Sequence, residues 1–376
     1  MAEKILLKGN EAIAMAAIRC GCDGYFGYPI TPQSEILETL MEKDPETDTG
    51  MIVLQAESEV AAINMLYGGA GCGKKVMTSS SSPGISLMTE GISYIAGAEL
   101  PCVIVDIMRG GPGLGTIQPA QSDYFQITKG GGHGDYRTII LAPASVQEMN
   151  DFVELSFDLA FKYKTPVIIL SDGVIGQMME KVELSPVKPR WTDEEIVKLH
   201  GDWASTGKTP DRKRNIVTSL DLDPHRQEQF NLKLQEKYAE IERSEVRYES
   251  LLCEDAEYLI IAYGLSARVS QKAMELAREE GIKVGLIRPV TLFPYPYEII
   301  EKLVPQVKGI LVVEMSAGQM TEDVSLAVRR RVPLYFHGRT GGMLPSPEDV
   351  LKLLGSIENG TFESADVQGH KKIWLR

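Results

Sequence analysis

The sequence predicts an α/β fold in which a doubly wound domain is followed by a smaller α/β domain. Strand-like and helix-like segments alternate over residues 1–185 and again over 255–355. The run PCVIVDIM at 101–108 is apolar almost throughout, which is typical of a strand buried on both faces of a parallel sheet. Alternation of this kind indicates parallel strands joined by helices that cover the sheet.

The elements of the first domain follow from hydrophobic runs and from signals at helix ends. Gly21 ends the first helix, and Ser145 with Glu148 forms a capping box that begins the last one. The predicted helices span 10–21, 31–43, 58–67, 85–98 and 145–162. The predicted strands span 24–30, 51–55, 74–80, 101–108, 137–143 and 165–172.

A charged connector over 186–254 separates the two domains, and it contains a predicted long helix over 224–251. The second domain, 255–355, has the same rhythm as the first. Its predicted strands are 257–264, 283–289, 309–315 and 333–338, and its first helix spans 266–281. Residues 356–376 form a tail in which Trp374 is a candidate docking point on this chain or on a partner.

Composition excludes several classes of protein. The chain has 39 Lys and Arg against 52 Asp and Glu, a formal charge of −13, which argues against a dedicated nucleic-acid binder. No apolar stretch reaches the length of a membrane span. The five cysteines include no C-x-x-C pair, so we expect no disulfide framework, iron–sulfur cluster or metal site in this chain. Cysteines that stay reduced also indicate a cytoplasmic location.

One phosphate-loop match is present but incomplete. Gly68, Gly73 and Lys74 fit the spacing, but Lys75 stands where Ser or Thr should hold magnesium. The glycines also precede a predicted strand rather than follow one. A helix end followed by a turn explains them better.

Four loops that follow predicted strands carry the polar residues of a candidate site. In a doubly wound sheet, ligands bind beyond the carboxyl ends of the strands, and all four loops are expected on that edge. They span 28–32, 55–59, 79–84 and 109–116.

The first two loops each allow a local and a functional interpretation. Thr31 fits a helix N-cap before Pro32, or its hydroxyl and the helix N-terminus together hold a carboxylate. Glu57 and Glu59 fit the first turn of a helix, where the helix dipole favours acidic residues. Alternatively, one of these carboxylates faces a cofactor nitrogen.

The other two loops are rich in small residues. The run of serines ahead of Pro83 and Gly84 permits close backbone approach, or is simply a flexible turn. Arg109 directly follows the buried strand and needs a partner, because an unpaired buried charge is costly. Its fork suits a substrate carboxylate, and an ion pair with Asp106 or Asp123 is the alternative.

Taken together, the motifs resemble the α subunit of the 2-oxoacid:ferredoxin oxidoreductases over nearly the whole chain. Within that family the chain looks most like the branched-chain (2-oxoisovalerate) type, and the 2-oxoglutarate type is the competitor. The segment VGLIRPVTLFPYP at 284–296 resembles the family's transketolase-C-like domain. The other matching segments are YPITP at 28–32, ESE at 57–59, SSPGISLM at 81–88, RGGPG at 109–113 and GGHGD at 131–135.

The resemblance implies a pyrimidine-type thiamine diphosphate-binding domain. Glu59 matches the glutamate that hydrogen-bonds N1′ of the cofactor, with Glu57 as the competing candidate. Thr31 and Arg109 match residues expected to hold the substrate carboxylate. The remaining matched positions are Pro29, Ile30, Ser82 and Gly84 for cofactor binding, and His133 and Asp123 as loop contacts.

The resemblance also implies partner chains. The family's magnesium and diphosphate motif begins Gly-Asp-Gly, which is absent from this sequence, so a β subunit would hold that site. Iron–sulfur clusters would lie in the γ and ferredoxin-like subunits, with coenzyme A as substrate and ferredoxin as acceptor. We therefore expect the isolated chain to be inactive.

The residues leave some alternatives open. A non-catalytic assembly module would have the same fold, although Glu59, Thr31 and Arg109 are all retained. A self-contained thiamine-dependent transferase or decarboxylase is a further alternative, but it would need the Gly-Asp-Gly motif that is absent from this sequence. The preferred 2-oxoacid also stays open, because a second basic residue near Arg109, such as Lys129 or Arg137, would favour 2-oxoglutarate.

Overall fold

A computed structural model of the chain describes residues 4–208, 210 and 213–362. The predicted tail and Trp374 therefore lie largely outside the described residues. The helices are α1 Gly9–Arg19, α2 Ser34–Lys43, α3 Pro45–Thr49, α4 Glu59–Gly71, α5 Ser82–Gly97, α6 Tyr124–Thr128, α7 Val146–Tyr163, α8 Gly173–Gln177, α9 Asp193–His200, α10 Pro224–Ser244, α11 Gly264–Glu279, α12 Tyr297–Leu303, α13 Met320–Val328 and α14 Pro347–Glu358. The strands are β1 Lys4–Lys8, β2 Gly24–Gly27, β3 Ile52–Gln55, β4 Val76–Ser80, β5 Cys102–Met108, β6 Ile139–Leu141, β7 Pro166–Asp172, β8 Met179–Glu183, β9 Tyr248–Leu251, β10 Tyr258–Ile261, β11 Val284–Pro289, β12 Thr291–Phe293, β13 Gly309–Glu314 and β14 Leu334–Gly338.

The larger sheet has seven strands in the order β12-β6-β7-β5-β4-β2-β3. Every pairing from β6 to β3 is parallel, and only β12 runs antiparallel to its neighbour β6. Alternate residues of β5 face opposite sides of this sheet. Val103 and Val105 pack in the core beside α1 and α7, while Ile104 packs in the core beside α4 and α5. The predicted α/β class with a buried parallel sheet is confirmed.

The smaller sheet has five strands in the order β14-β13-β10-β11-β9. Three of its four pairings are parallel, and only the edge strand β9 runs antiparallel to its neighbour β11. The two sheets are connected through consecutive strands, because β12 follows β11 of the smaller sheet directly yet pairs with β6 of the larger sheet. The second half of the chain thus contributes an edge strand to the first.

Several predicted elements differ from those observed. The helix predicted over 224–251 ends at Ser244, and its last four residues form β9 instead. They do so because Leu286–Pro289 offers them a strand edge, a partner that the local pattern does not reveal. The strand predicted over 24–30 ends at Gly27. The glycines of the phosphate-loop match end α4 and form the following turn, with Gly73 at φ +77°, as expected.

Asp323 joins the two halves of the chain. Its carboxylate accepts hydrogen bonds from the hydroxyls of Tyr124 (2.6 Å) and Tyr297 (2.5 Å) and pairs with Lys129 Nζ at 2.6 Å. Asp323 is 1% exposed and Tyr124 is fully buried. Breaking such a cluster leaves buried polar groups without partners, which is costly.

We therefore expect Asp323→Ala to lower the free energy of unfolding by roughly 3–5 kcal/mol. Urea unfolding followed by far-ultraviolet circular dichroism measures the change. Glu275→Ala is the matched control, because its ion pair with Lys272 is exposed and should contribute about 0.5 kcal/mol or less. Equal midpoints for the two variants would contradict the assigned role of Asp323.

Candidate active site

The four candidate loops converge on one edge of the larger sheet. Strands β3, β2, β4 and β5 are adjacent and parallel, so the loops that follow them leave the sheet on the same side. After β2 the chain goes first to β3 and then back to β4, so the strand order reverses at β2 and β4. Crevices at such a reversal are the usual ligand sites of open α/β sheets.

The loop after β2 is held from several directions. Helix α2 begins at Ser34 with Gln33 at the N-cap, so the predicted N-cap role of Thr31 is wrong. The reason is that Gln33 bonds inward: its amide donates to Tyr28 O (2.9 Å), and its Oε1 accepts from Ser79 Oγ (2.6 Å). Thr31 is thereby left exposed in the loop, while Pro32 O accepts from Asn10 at 2.8 Å.

The loop after β3 separates its two glutamates. Glu57 is exposed, whereas Glu59 is 6% exposed at the first position of α4. The preceding Ser58 caps the helix, with Oγ accepting from Ala61 N at 3.1 Å. Among the residues that the structure describes, no hydrogen bond or ion pair reaches the Glu59 carboxylate. A buried carboxylate at a helix N-terminus, favoured by the dipole and lacking a protein partner, is available to a ligand.

Gly84 lies against this carboxylate. A Cβ placed on Gly84 would come within 2.7 Å of Glu59 Oε1 and 2.1 Å of Ser80 Oγ. The Ser80 hydroxyl is itself buried with no hydrogen-bond partner in the described part of the chain. The start of α5 and the start of α4 therefore meet at a tight, polar cradle that only glycine permits.

Arg109, at the end of β5, is 9% exposed. Its Nη1 and Nη2 donate to the carbonyl oxygens of Thr31 and Leu114, each at 3.0 Å, and its Nε has no partner in the described residues. No described carboxylate lies within ion-pair distance of the guanidinium, so the alternative ion pair with Asp106 or Asp123 does not form. Arg109 and Thr31, predicted together from separate loops, are brought into contact.

A hydrogen-bonded group lies beneath Arg109. Ser82 Oγ accepts from Arg109 N at 2.9 Å and donates to Asp123 Oδ2, while Ser82 N donates to Asp106 Oδ1 at 3.3 Å. Burial and the charge of Asp123 raise the pKa of Asp106 well above its usual range. Burial also raises the pKa of Asp123 to about 6, against the opposing effects of the Ser82 hydroxyl and Arg109.

The remaining predicted positions make fewer contacts with Glu59, Thr31 and Arg109. Pro29 is exposed and Ile30 half-buried in the loop beside Thr31. His133 is exposed, and its carbonyl accepts from Ser93 Oγ at 2.8 Å, which holds the glycine loop against the side of α5. Among described residues, no hydrogen bond joins His133 to Glu59, Thr31 or Arg109. Its role as a loop contact stays a prediction.

Sequence reasoning missed one polar residue of this edge, Gln33. It carries no distinctive local signal, because it sits in a segment that is explained as a helix. Ser80 belongs to the serine run of the third loop, and Asp106 is the only charged residue within the apolar run of β5.

No group of three or more His, Cys, Asp or Glu side chains is placed to hold a metal ion in the described part of the chain. No described helix combines the length and apolar character needed to cross a membrane.

Comparison with known families covers both halves of the chain. Residues 15–248 match the family described as "Pyruvate flavodoxin/ferredoxin oxidoreductase, thiamine diP-bdg". Residues 256–350 match "Pyruvate:ferredoxin oxidoreductase core domain II". The first match contains all four loops of the candidate site.

Curated relatives and solved structures agree with these matches. The chain is 51% identical to ketoisovalerate oxidoreductase subunit VorB of Methanothermobacter thermautotrophicus, covering 94% of this chain and 97% of the relative. It is 33% identical to 2-oxoglutarate synthase subunit KorA of Methanocaldococcus jannaschii, covering 92% and 97%. A solved 2-oxoglutarate:ferredoxin oxidoreductase from Magnetococcus marinus superposes with a TM-score of 0.81 at 26% identity, over 96% of this chain and 66% of that chain.

A split-gene transketolase superposes with a TM-score of 0.58 at 13% identity, which shows a shared fold alone. The thiamine-type domain followed by a transketolase-like domain, predicted from the motifs, is therefore confirmed. The relatives are named as subunits of multi-subunit oxidoreductases. The chain belongs to the 2-oxoacid:ferredoxin oxidoreductase family, as a subunit most similar to those of the branched-chain type.

Proposed function

We propose that this chain is the subunit of a 2-oxoacid:ferredoxin oxidoreductase that activates thiamine diphosphate and binds the 2-oxoacid. The assembled enzyme oxidatively decarboxylates branched-chain 2-oxoacids, with 2-oxoisovalerate as the reference substrate. Coenzyme A accepts the acyl group, carbon dioxide is released and ferredoxin is reduced. The observation that carries this proposal is the buried Glu59 carboxylate, which lacks a protein partner beside the glycine cradle of α5.

The residues fit an aminopyrimidine ring. Glu59, at the N-terminus of α4, would accept a hydrogen bond from N1′. Gly84 leaves the space that a Cβ would fill, and the unpartnered Ser80 hydroxyl borders the same space. Thiamine diphosphate would supply the nucleophilic carbon and the electron sink for decarboxylation, and Glu59 would hold the proton at N1′.

Arg109 and Thr31 are proposed to bind the carboxylate of the 2-oxoacid. Two of the five N–H groups of the guanidinium are used by backbone carbonyls, which leaves three, including Nε, to donate. The carbonyl contacts fix the plane of the fork at the mouth of the crevice. Thr31, held in place by that contact, is exposed beside the guanidinium.

The cations that would favour 2-oxoglutarate are engaged elsewhere. Lys129 pairs with Asp323 at 2.6 Å. Arg137 donates to Thr128 O at 2.7 Å and lies over the Phe293 ring. Both cations therefore already have partners within this chain, and this supports a branched aliphatic side chain as the preferred substrate.

Partner subunits are proposed to complete the site. Ile52 and Leu54 on the edge strand β3, and Val60 directly after Glu59, are 50%, 37% and 47% exposed. Apolar exposure around a buried acid is typical of a surface that another chain covers. A β subunit would bring the diphosphate and magnesium site. The iron–sulfur clusters would lie in the γ and ferredoxin-like subunits.

We expect Gly84→Ala to lower activity by about 10- to 100-fold, since forcing extra volume into a packed site costs 1–3 kcal/mol. The added methyl group would push Glu59 out of position and weaken cofactor binding. Titration of thiamine diphosphate into the complex measures the loss. Gly68→Ala is the matched control, because a Cβ there meets no atom within 4 Å. Unchanged cofactor affinity in Gly84→Ala would contradict the cradle.

The proposed function is tested by co-purifying the chain with its partner subunits without oxygen. The complex should reduce an artificial electron acceptor when given 2-oxoisovalerate, coenzyme A and thiamine diphosphate. The isolated chain should not. Turnover by the isolated chain, or none by a cofactor-loaded complex with any 2-oxoacid, would overturn the proposal.

A further inference from the structure

Two buried aspartates lie directly behind Arg109. Asp106 is fully buried in β5, and Asp123 is 7% exposed in the loop before α6. Neither belongs to the proposed contacts with cofactor or substrate. Both carboxyl groups approach Ser82, the first residue of α5, and Ser82 in turn touches the backbone of Arg109.

The hydrogen bonds of the described part of the chain leave a buried carboxyl oxygen of Asp106 without a donor. Asp106 Oδ1 accepts from Ser82 N at 3.3 Å, and Asp123 Oδ2 accepts from Ser82 Oγ. Asp106 Oδ2 is buried and meets no donor in the described residues. The carboxyl groups of Asp106 and Asp123 lie close enough to share a hydrogen bond. Two ionised carboxylates in that contact would repel each other, whereas a shared proton makes the contact favourable.

The surrounding charges favour a single negative charge on the pair. Arg109 attracts that charge to Asp123, and the N-terminus of α5 favours it as well. Burial of both carboxyl groups, and the repulsion of Asp106 by Asp123, oppose a second negative charge. The pair is therefore expected to carry one proton.

We propose that Asp106 and Asp123 share one proton and together act as a positioning pair for Arg109. Asp106 donates the shared proton to Asp123. Asp123 then fixes the Ser82 hydroxyl, which accepts from the backbone N–H of Arg109. The pair also holds the first turn of α5, which contains Gly84. This inference rests on the proposed function, because it assigns Arg109 to the 2-oxoacid carboxylate.

A shared proton makes a specific prediction about substitutions at position 106. Asparagine is neutral and its amide can donate to Asp123, so Asp106→Asn should keep kcat/KM within about threefold of the wild type. Leucine has a similar size but cannot donate, so Ser82 and Asp123 lose a partner. We expect Asp106→Leu to lower kcat/KM for the 2-oxoacid by about 10- to 100-fold, mainly through a higher KM.

Infrared difference spectroscopy of the complex reports the proton itself. The wild-type complex should show the carbonyl band of a protonated carboxylic acid at neutral pH, and Asp106→Asn should lack it. Asp221→Asn is the control, because Asp221 is an exposed partner of Arg226 with a pKa lowered to about 2, and its replacement should remove no such band. The measurement needs no turnover and still applies if Asp106→Leu does not fold.

The outcomes separate this inference from the proposed function. A wild-type spectrum without the band, or an Asp106→Asn variant as impaired as Asp106→Leu, would overturn the shared proton. If the band is present and lost in Asp106→Asn while the wild-type complex oxidises no 2-oxoacid, the proton pair stands and the proposed function fails.

Discussion

Replacing Glu59 by glutamine should lower kcat of the assembled enzyme by about 10³-fold, within the usual range for removing a positioned acid–base group. Glutamine keeps the size of the side chain but cannot carry the negative charge that stabilises a protonated N1′. Glu59 is buried and lacks a protein partner in the described residues, so the substitution breaks no contact that holds the fold. Steady-state kinetics with 2-oxoisovalerate measure the loss.

Glu57→Gln is the matched control for this experiment. Glu57 lies two residues away on the same loop but is exposed, and surface substitutions usually change free energies by about 0.5 kcal/mol or less, which is roughly twofold in rate. An active Glu59→Gln variant combined with an inactive Glu57→Gln variant would move the activating role to Glu57.

Replacing Arg109 by lysine should lower kcat/KM for the 2-oxoacid by about 100-fold. The guanidinium fork can donate to the carbonyl oxygens of Thr31 and Leu114 and to a carboxylate at the same time. The compact ammonium group of lysine cannot make all of these hydrogen bonds together. The lost hydrogen bonds to charged groups are each worth about 1.5–3 kcal/mol. The change should appear mainly as a higher KM, with coenzyme A affinity unchanged.

Arg226→Lys controls for the general effect of exchanging an arginine. Arg226 is an exposed residue of α10, and its side chain is paired with Asp221. We expect its kinetics to match the wild type. If Arg109→Lys retained the wild-type KM, the substrate carboxylate would have to bind elsewhere.

The sequence was sufficient to place the candidate site on one edge of the larger sheet. Glu59 and Arg109 each lie just after a strand that can be recognised from its hydrophobic pattern. In a parallel sheet, the loops that follow neighbouring strands lie on the same edge. The contact between Arg109 and Thr31 could be expected in outline for the same reason. The burial that distinguishes Glu59 from Glu57 could not be expected, because the local pattern does not show which of two glutamates around the N-cap turns inward.

Other features depend on contacts distant in sequence. Strands β9 and β12 are only four and three residues long, and each forms by pairing with a strand about 40 to 150 positions away. Local pattern cannot reveal such partners. Likewise, Gln33 takes the N-cap position from Thr31 because its side chain reaches Ser79 on a neighbouring strand, a contact that only the folded sheet supplies.

The central claim is most directly tested by the ratio of kcat/KM for 2-oxoisovalerate to that for 2-oxoglutarate, measured on one preparation of the complex. Because Lys129 and Arg137 are engaged elsewhere, a second carboxylate would be buried without a cation, which is costly. The account predicts a ratio of about 10 or more in favour of 2-oxoisovalerate. A ratio near 1, or a preference for 2-oxoglutarate, would contradict it.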